Sequence, residues 1–277
     1  PIMLVAGASS SRTPAIAQAV AALAEVASPA CTYMVEGISD ATVIARGIQL
    51  AADYDVGTVA IIGGGTTIDV GKAIAALVRQ AGALPASADA VLSFTAGELK
   101  INPAAALSWC AMPTTTGTGS ESTWNSVLEE GDVKLSLKGV PPASLIAADP
   151  DLLRGLAPRP RNIAVADALS QALEVVCSGH TSEPAVELAL CAVKQLSAGI
   201  ASMELDPDGS RGHLAWGSLL MGIAFAHGRL GLPHALAHYC VKYGMSHGNM
   251  VGALTGPSLR VQSIDAGVRA RLERLES

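Results

Sequence analysis

Two glycine- and threonine-rich segments and one scattered set of polar residues hold most of the chemistry available to this sequence. The first segment reads Ile61-Ile62-Gly63-Gly64-Gly65-Thr66-Thr67-Ile68-Asp69-Val70-Gly71-Lys72-Ala73, the second Pro113-Thr114-Thr115-Thr116-Gly117-Thr118-Gly119-Ser120-Glu121. Each follows an apolar run of strand character, and the first opens directly into a helical pattern. Bare backbone N–H groups and hydroxyls at such a place suit a phosphate or a ribose. The polar set begins with Asp167, inside the otherwise apolar Val165-Ala166-Asp167-Ala168-Leu169-Ser170-Gln171-Ala172-Leu173-Glu174, and Gln171 shares its helix face four residues on. His234 and His238 share another face, and His247 follows in Ser246-His247-Gly248. A buried aspartate needs a partner or a metal. A carboxylate with several histidines on core helices has the donor types of a divalent-metal site.

Each feature also has a plainer reading. The triple glycine can be a structural turn with Asp69 capping the following helix, the threonine-rich segment a surface loop, and each histidine a satisfied polar residue. The commoner nucleotide motifs do not fit. A dinucleotide fingerprint needs glycine where Ile68 stands, and belongs after the first strand. A phosphate loop has one residue fewer before Gly71-Lys72, and a hydroxyl where Ala73 stands.

The elements that must position these residues fall into two patterns. Ile2–Ala6, Thr32–Val35, Val56–Ile62, Leu107–Met112 and Ser144–Ala147 read as strands. Between the first of them lie helical patterns at Thr13–Ala27, at Asp40–Tyr54 with Asp40 as N-cap, and from Thr66 to about Arg79. Near-continuous apolar strands alternating with helices predict a mostly parallel sheet covered on both faces. After Asp149-Pro150 the pattern is helical, with helices expected at Asn162–Cys177, Glu183–Ala201, Leu214–Leu230 and Pro233–Tyr243. The expected organisation is an α/β nucleotide-binding domain over residues 1–152 and an all-α domain over residues 153–277.

Bulk properties narrow the function classes. Of 277 residues half are hydrophobic, enough for a sizeable core, and a net charge of −6 with no basic block argues against nucleic acid. The five cysteines are scattered with no C-x-x-C pair, as suits a reducing compartment. No signal-peptide pattern precedes the first strand, and the longest apolar stretch, Leu214–Ala226, is too short to cross a membrane. A cytoplasmic protein without membrane or nucleic-acid partners is expected.

Taken in order along the chain, the GGGTTID loop, the PTTTGTGSE segment, Lys134, Ala148-Asp149-Pro150, Asp167-Ala168-Leu169, His234-Ala235-Leu236-Ala237-His238 and His247-Gly248 resemble the iron-containing (group III) alcohol dehydrogenase family, which has a dehydroquinate-synthase-like fold. The resemblance implies a nicotinamide cofactor whose pyrophosphate is received by Gly64, Gly65 and Thr66 with Asp69 nearby. Thr114, Thr115, Thr118, Thr123 and Lys134 would line the rest of its groove. It also implies iron or zinc as Lewis acid, with Asp167, His234 and His247 on three ligand positions and His238 in the alcohol-proton relay. The expected activity is interconversion of a small aldehyde or ketone and its alcohol by a homodimer or larger homo-oligomer.

Three departures from the family pattern change these expectations. Gln171 stands at the fourth ligand position, usually histidine, and a neutral amide oxygen should weaken the metal. The His234–His247 spacing is one residue shorter than is usual. The sequence ends soon after Leu259, which predicts a shortened helical domain. The loop after the first strand, Gly7-Ala8-Ser9-Ser10-Ser11-Arg12, has one cation and no acid, so NADP is preferred over NAD. Three rival readings keep the same residues: a phosphonoacetaldehyde-type reductase, a metal-free relative that binds nucleotide without turnover, and a dehydroquinate-synthase-like cyclase. The cyclase is disfavoured because Lys194 and Lys242 are the only lysines of the helical half.

Overall fold

A computed structural model describes residues 1–80, 86–240 and 247–276, the side chains of His238, Tyr239 and Cys240 excepted. Two compact units emerge. One comprises Pro1–Thr114 with Thr123–Gly155, the other Thr115–Ser122 with Leu156–Ser277.

The first unit is built on five parallel strands: β1 (Ile2–Gly7), β2 (Cys31–Val35), β3 (Thr58–Gly63), β4 (Ser108–Pro113) and β7 (Leu145–Ile146), in the order β2-β1-β3-β4-β7. Pairing is in register over long stretches, with Val5 opposite Ile61 and Gly63 opposite Pro113. Alternate residues feed two cores, as the period-2 geometry of a strand requires. Met3, Val5, Val59 and Ile61 face one core with α2 (Ala41–Asp53) and α3 (Gly65–Leu77). Leu4, Ala6, Ala60 and Ile62 face the other with Ile16 of α1 (Pro14–Ala27). Asp40 caps α2 as its sequence predicts, accepting from Val43 N at 2.7 Å.

Two elements of this unit differ from the sequence reading. Helix α4 (Ala88–Thr95) is new, and β5 (Asn125–Glu130) with β6 (Val133–Lys138) forms an antiparallel hairpin. The hairpin is too short to stand alone. It holds because Leu128 and Leu137 are buried in the main core and Ser39 ties it to the loop before α2, accepting at its carbonyl from Glu129 N and donating from its hydroxyl to Val127 O.

The second unit contains α5 (Pro158–Cys177), α6 (Glu183–Ser202), α7 (Pro207–Ala226), α8 (Leu232–Cys240), α9 (His247–Gln262) and α10 (Ala266–Glu273). Pro158 and Pro160 fall in the first turn of α5, where the missing N–H bonds have no intrahelical partner anyway. Helix α6 has the length and apolar composition to cross a membrane. Its Ala192, Val193 and Leu196 instead pack with Val165 of α5 and Leu214 and Met221 of α7 in a common core. The expected helix Pro233–Tyr243 is described as far as Cys240, its remainder lying outside the described residues.

One segment groups out of sequence order. Thr115–Ser122, within the expected span 1–152, belongs to the compact unit of the helices. Gly119 explains this. Its φ is +59°, and a Cβ there would lie 2.6 Å from Gly222 Cα of α7, so backbone meets backbone where no side chain fits.

Candidate functional site

Within the parallel-sheet unit, β1 connects to β2 on one side while β3 lies on the other. The order therefore reverses between β1 and β3, and the crevice at the carboxyl ends of such strands is where open α/β sheets bind ligands. Helix α3 begins there. Its N-cap is Gly64, which has no side-chain oxygen to offer, so the first-turn N–H groups have no side-chain cap. Thr66 at the second helical position is exposed. Thr114 joins this end through its N–H to Gly63 O at 3.0 Å. Gly63 is needed for a structural reason too, since a Cβ there would strike Thr67 at 2.5 Å. Backbone donors at a helix start suit a pyrophosphate.

Beneath that surface lies a buried ionic group. Lys72 is 0 % exposed, with Nζ 3.4 Å from Asp69 Oδ1 and 3.2 Å from Thr123 Oγ1. Ser126 Oγ donates to Asp69 O at 2.9 Å, tying α3 to the hairpin. Asp69 therefore sits in the second turn as a partner of Lys72 and does not cap the helix. Lys134 lies on β6, with Nζ 3.5 Å from Glu129 Oε1 of β5.

In the helical unit, Asp167, Gln171 and Glu174 recur along one face of α5. Asp167 Oδ1 is 3.3 Å from His234 Nε2 of α8, without hydrogen-bond geometry. His247, the first residue of α9, sets its ring edge-on to that of His234, with centroids 5.4 Å apart. One donor atom from each of Asp167, His234 and His247 can be chosen so that all lie within 4.8 Å of one another. Gln171 Nε2 donates to Asp167 Oδ2 at 3.0 Å and to Gly117 O at 3.4 Å. These two acceptors fix the amide orientation, since the flipped amide would set oxygen against oxygen.

In this cluster Asp167 Oδ1, Gln171 Oε1 and His234 Nε2 make no complete hydrogen bond among the described residues, although Asp167 Oδ1 and His234 Nε2 face each other at 3.3 Å as an ion pair. Buried atoms of this kind are satisfied by an ordered water or by a bound cation. The two histidine nitrogens and the Asp167 carboxylate are donor types that a divalent metal accepts. The same pocket acts on His234. Burial pulls its pKa down, yet the Asp167 and Glu174 carboxylates outweigh burial and raise it from 6.5 to about 9. Without a metal, the imidazolium proton is the cation. Nearby Cys177 is no nucleophile, because burial, with Glu174 adding to it, pushes its thiol up to about 11.

A sequence model described as iron-containing alcohol dehydrogenase matches residues 1–148, more than half of the chain. The chain belongs to that family. Relatives of the chain include the phosphonoacetaldehyde reductase of Streptomyces viridochromogenes, 32% identical over 72% of this chain and 51% of the relative, and the 1,3-propanediol dehydrogenase of Citrobacter freundii, 29% identical over 75% and 53%. The chain thus spans about half the length of the curated relatives it matches. Two solved structures share the fold. The sulfoacetaldehyde reductase of Bifidobacterium kashiwanohense in complex with NAD+ has a TM-score of 0.81 at 23% identity, covering 94% of this chain and 68% of that one. The alcohol dehydrogenase of Oenococcus oeni has a TM-score of 0.82 at 24% identity, covering 99% and 72%.

The family residues named from sequence fall into four groups, with Lys134 apart on β6. Gly64, Gly65, Thr66 and Thr114 meet at the start of α3, while Asp69 and Thr123 meet at Lys72 below it. Thr115 and Thr118 belong to the helical unit, where Thr118 Oγ1 accepts from Ser120 N at 3.3 Å. Asp167, Gln171, His234 and His247 form the polar cluster, and the side chain of His238 lies outside the described residues. Two residues escape the sequence reading. Lys72 is passed over once the phosphate-loop template fails, although an interior lysine three residues after an aspartate already signals an ion pair. Glu174 lies seven residues after Asp167, a spacing that returns to the same helix face.

Proposed function

We propose that the chain is an NAD(P)-dependent oxidoreductase interconverting a small aldehyde or ketone and its alcohol, with a divalent cation held by Asp167, His234, His247 and Gln171. The convergence of one donor atom each from Asp167, His234 and His247 within 4.8 Å of one another carries this reading. When bound, the cation stabilises negative charge on the substrate oxygen, and the nicotinamide supplies or accepts the hydride. The chain's own residues do the rest. The first-turn N–H groups of α3 bind the cofactor pyrophosphate, with Thr66 exposed beside them. His238 hands a proton to the substrate oxygen in reduction and takes it back in oxidation. Asp167 and Glu174 hold the His234 ring between them.

Exposed Arg12, after β1, favours NADP, and its cation suits a 2′-phosphate. Exposed Glu36, directly after β2, favours NAD by offering an acceptor to ribose hydroxyls. The ratio of kcat/KM for the two cofactors, measured before and after Arg12→Ser, decides between them. A second substrate reading draws on relatives named for phosphonoacetaldehyde and sulfoacetaldehyde, both aldehydes with an anionic group. A cytoplasmic homodimer or larger homo-oligomer completes the proposal.

Elemental analysis of protein purified without chelator, beside Gln171→His, tests the metal reading. Near-stoichiometric iron or zinc in the unaltered protein supports it. A site that fills only in Gln171→His overturns it in favour of a metal-free relative.

A further inference from the structure

The Glu174 carboxylate is buried beneath the polar cluster and receives four donors. Its Oε1 lies 2.5 Å from His234 Nδ1 and accepts from Ser170 Oγ at 2.9 Å. Its Oε2 accepts from Gly231 N at 2.6 Å and from His234 N at 3.5 Å. Four donors account for the lone-pair sites of an ionised carboxylate. Ser170 is held in turn, for Thr255 Oγ1 approaches its oxygen at 2.6 Å. Glu174 thus ties α5, which carries Asp167, to the start of α8, which carries His234. Through Ser170 it reaches α9, which begins with His247.

The two ring nitrogens of His234 have different partners. Nδ1 makes a complete hydrogen bond to Glu174, whereas Nε2 faces Asp167 Oδ1 at 3.3 Å without one. A carboxylate with all its lone pairs committed to donors accepts a proton-bearing Nδ1. The lone pair of the neutral ring is then left on Nε2, on the side of Asp167. Such carboxylate–histidine pairs fix the tautomer and strengthen the ligand nitrogen, and losing one typically weakens metal binding about 10–100-fold.

We propose that Glu174, braced by Ser170 and Thr255, is the positioning residue that makes Nε2 of His234 a metal ligand. This rests on the metal reading of the cluster. The test is zinc affinity of metal-depleted protein, measured by competition with a chromogenic chelator, for the unaltered chain, Glu174→Gln and Thr255→Val. The cobalt(II) absorption spectrum and long-range 15N spectra of His234 are recorded alongside.

Glu174→Gln should bind zinc about 10–100-fold more weakly, with a changed cobalt spectrum. Thr255→Val, a milder change should Glu174→Gln fail to fold, should weaken zinc by a few-fold. Zinc affinity and cobalt spectrum unchanged in both variants overturn the proposal. The 15N spectra work without metal. In alkaline buffer, where the ring is neutral, the unaltered chain should show the Nδ1–H tautomer, and an Nε2–H tautomer overturns the proposal. Absence of zinc binding together with the Nδ1–H tautomer defeats the metal reading alone, leaving the positioning of the ring by Glu174 intact.

Discussion

At the start of α3 the parallel-sheet unit presents backbone donors, while the helical unit buries side-chain acceptors at Asp167, Gln171 and His234. The first arrangement calls for an anion and the second for a cation. They also differ in what encodes them. Donors at α3 come from the peptide chain, so identity matters there mainly through what is absent, a capping side chain at Gly64 or a Cβ at Gly63. In the helical cluster every acceptor is a particular side chain, and its neighbours Glu174 and Ser170 hold it in place. Substitutions should therefore act through shape and added charge at the first, and through loss of a ligand at the second.

The largest expected effect is in the helical cluster. Asp167→Ala should abolish stoichiometric metal and lower turnover about 10³-fold, since a Lewis acid supplies several kcal/mol to the transition state. Turnover within tenfold of the unaltered chain, with metal absent, would falsify a catalytic metal. The sheet unit has its own sensitive point beneath its surface. Lys72→Met should cost about 3–5 kcal/mol in denaturant melts, because Asp69 is left buried without its cation. Lys72→Met with Asp69→Leu should recover most of that loss. A double variant no more stable than the single one shows that Asp69 has other sufficient partners.

This difference in encoding also governs what the sequence reveals. The parallel sheet is legible because apolar runs such as Val59–Ile62 alternate with helical patterns, and the glycine loop marks the turn between them. The cluster is legible in part, since Asp167, His234 and His247 are residue types that stand out in apolar helices. The rest depends on tertiary placement. In the β5–β6 hairpin, β6 alternates apolar and polar residues while β5 (Asn125–Glu130) has no such period, and the pair is stabilised by burying Leu128 and Leu137 in a core formed elsewhere. Helix α9 contains Gly252, Gly256 and Pro257, which read as breakers, yet Val251 and Ser258 are buried along it. Thr115–Ser122 follows β4 in sequence, but its packing is decided by Gly222, about a hundred residues later.

A smaller effect sharpens the contrast from the donor side. Thr66→Glu puts a carboxylate at the start of α3, where it favours the helix dipole by under about 1 kcal/mol. The same charge opposes a pyrophosphate on the same N–H groups. Cofactor affinity, read by fluorescence titration, should fall about tenfold while the melting temperature holds or rises. A fall in both together would mean that the substitution damages the fold and says nothing about an anion site. Unchanged affinity would move the pyrophosphate elsewhere.

The two ends should also separate along the pH axis. His234 has its folded pKa raised from 6.5 to about 9 by Asp167 and Glu174 against the opposing effect of burial. A raised histidine pKa contributes stability that is fully present below 6.5 and is lost as pH rises through about 9. The metal-free protein should therefore melt at progressively lower temperature across that window. A metal ion must displace the same proton, so its affinity should rise by about tenfold per pH unit until the ring is neutral. The gap in melting temperature between metal-loaded and metal-free protein should widen accordingly. Backbone amides at α3 do not titrate in this range, so cofactor affinity should stay level over the same interval. Metal affinity that is flat between 6.5 and 9 would remove His234 from the ligand set. Cofactor affinity that climbs with it would mean that a titrating side chain, and not the start of α3, governs the nucleotide.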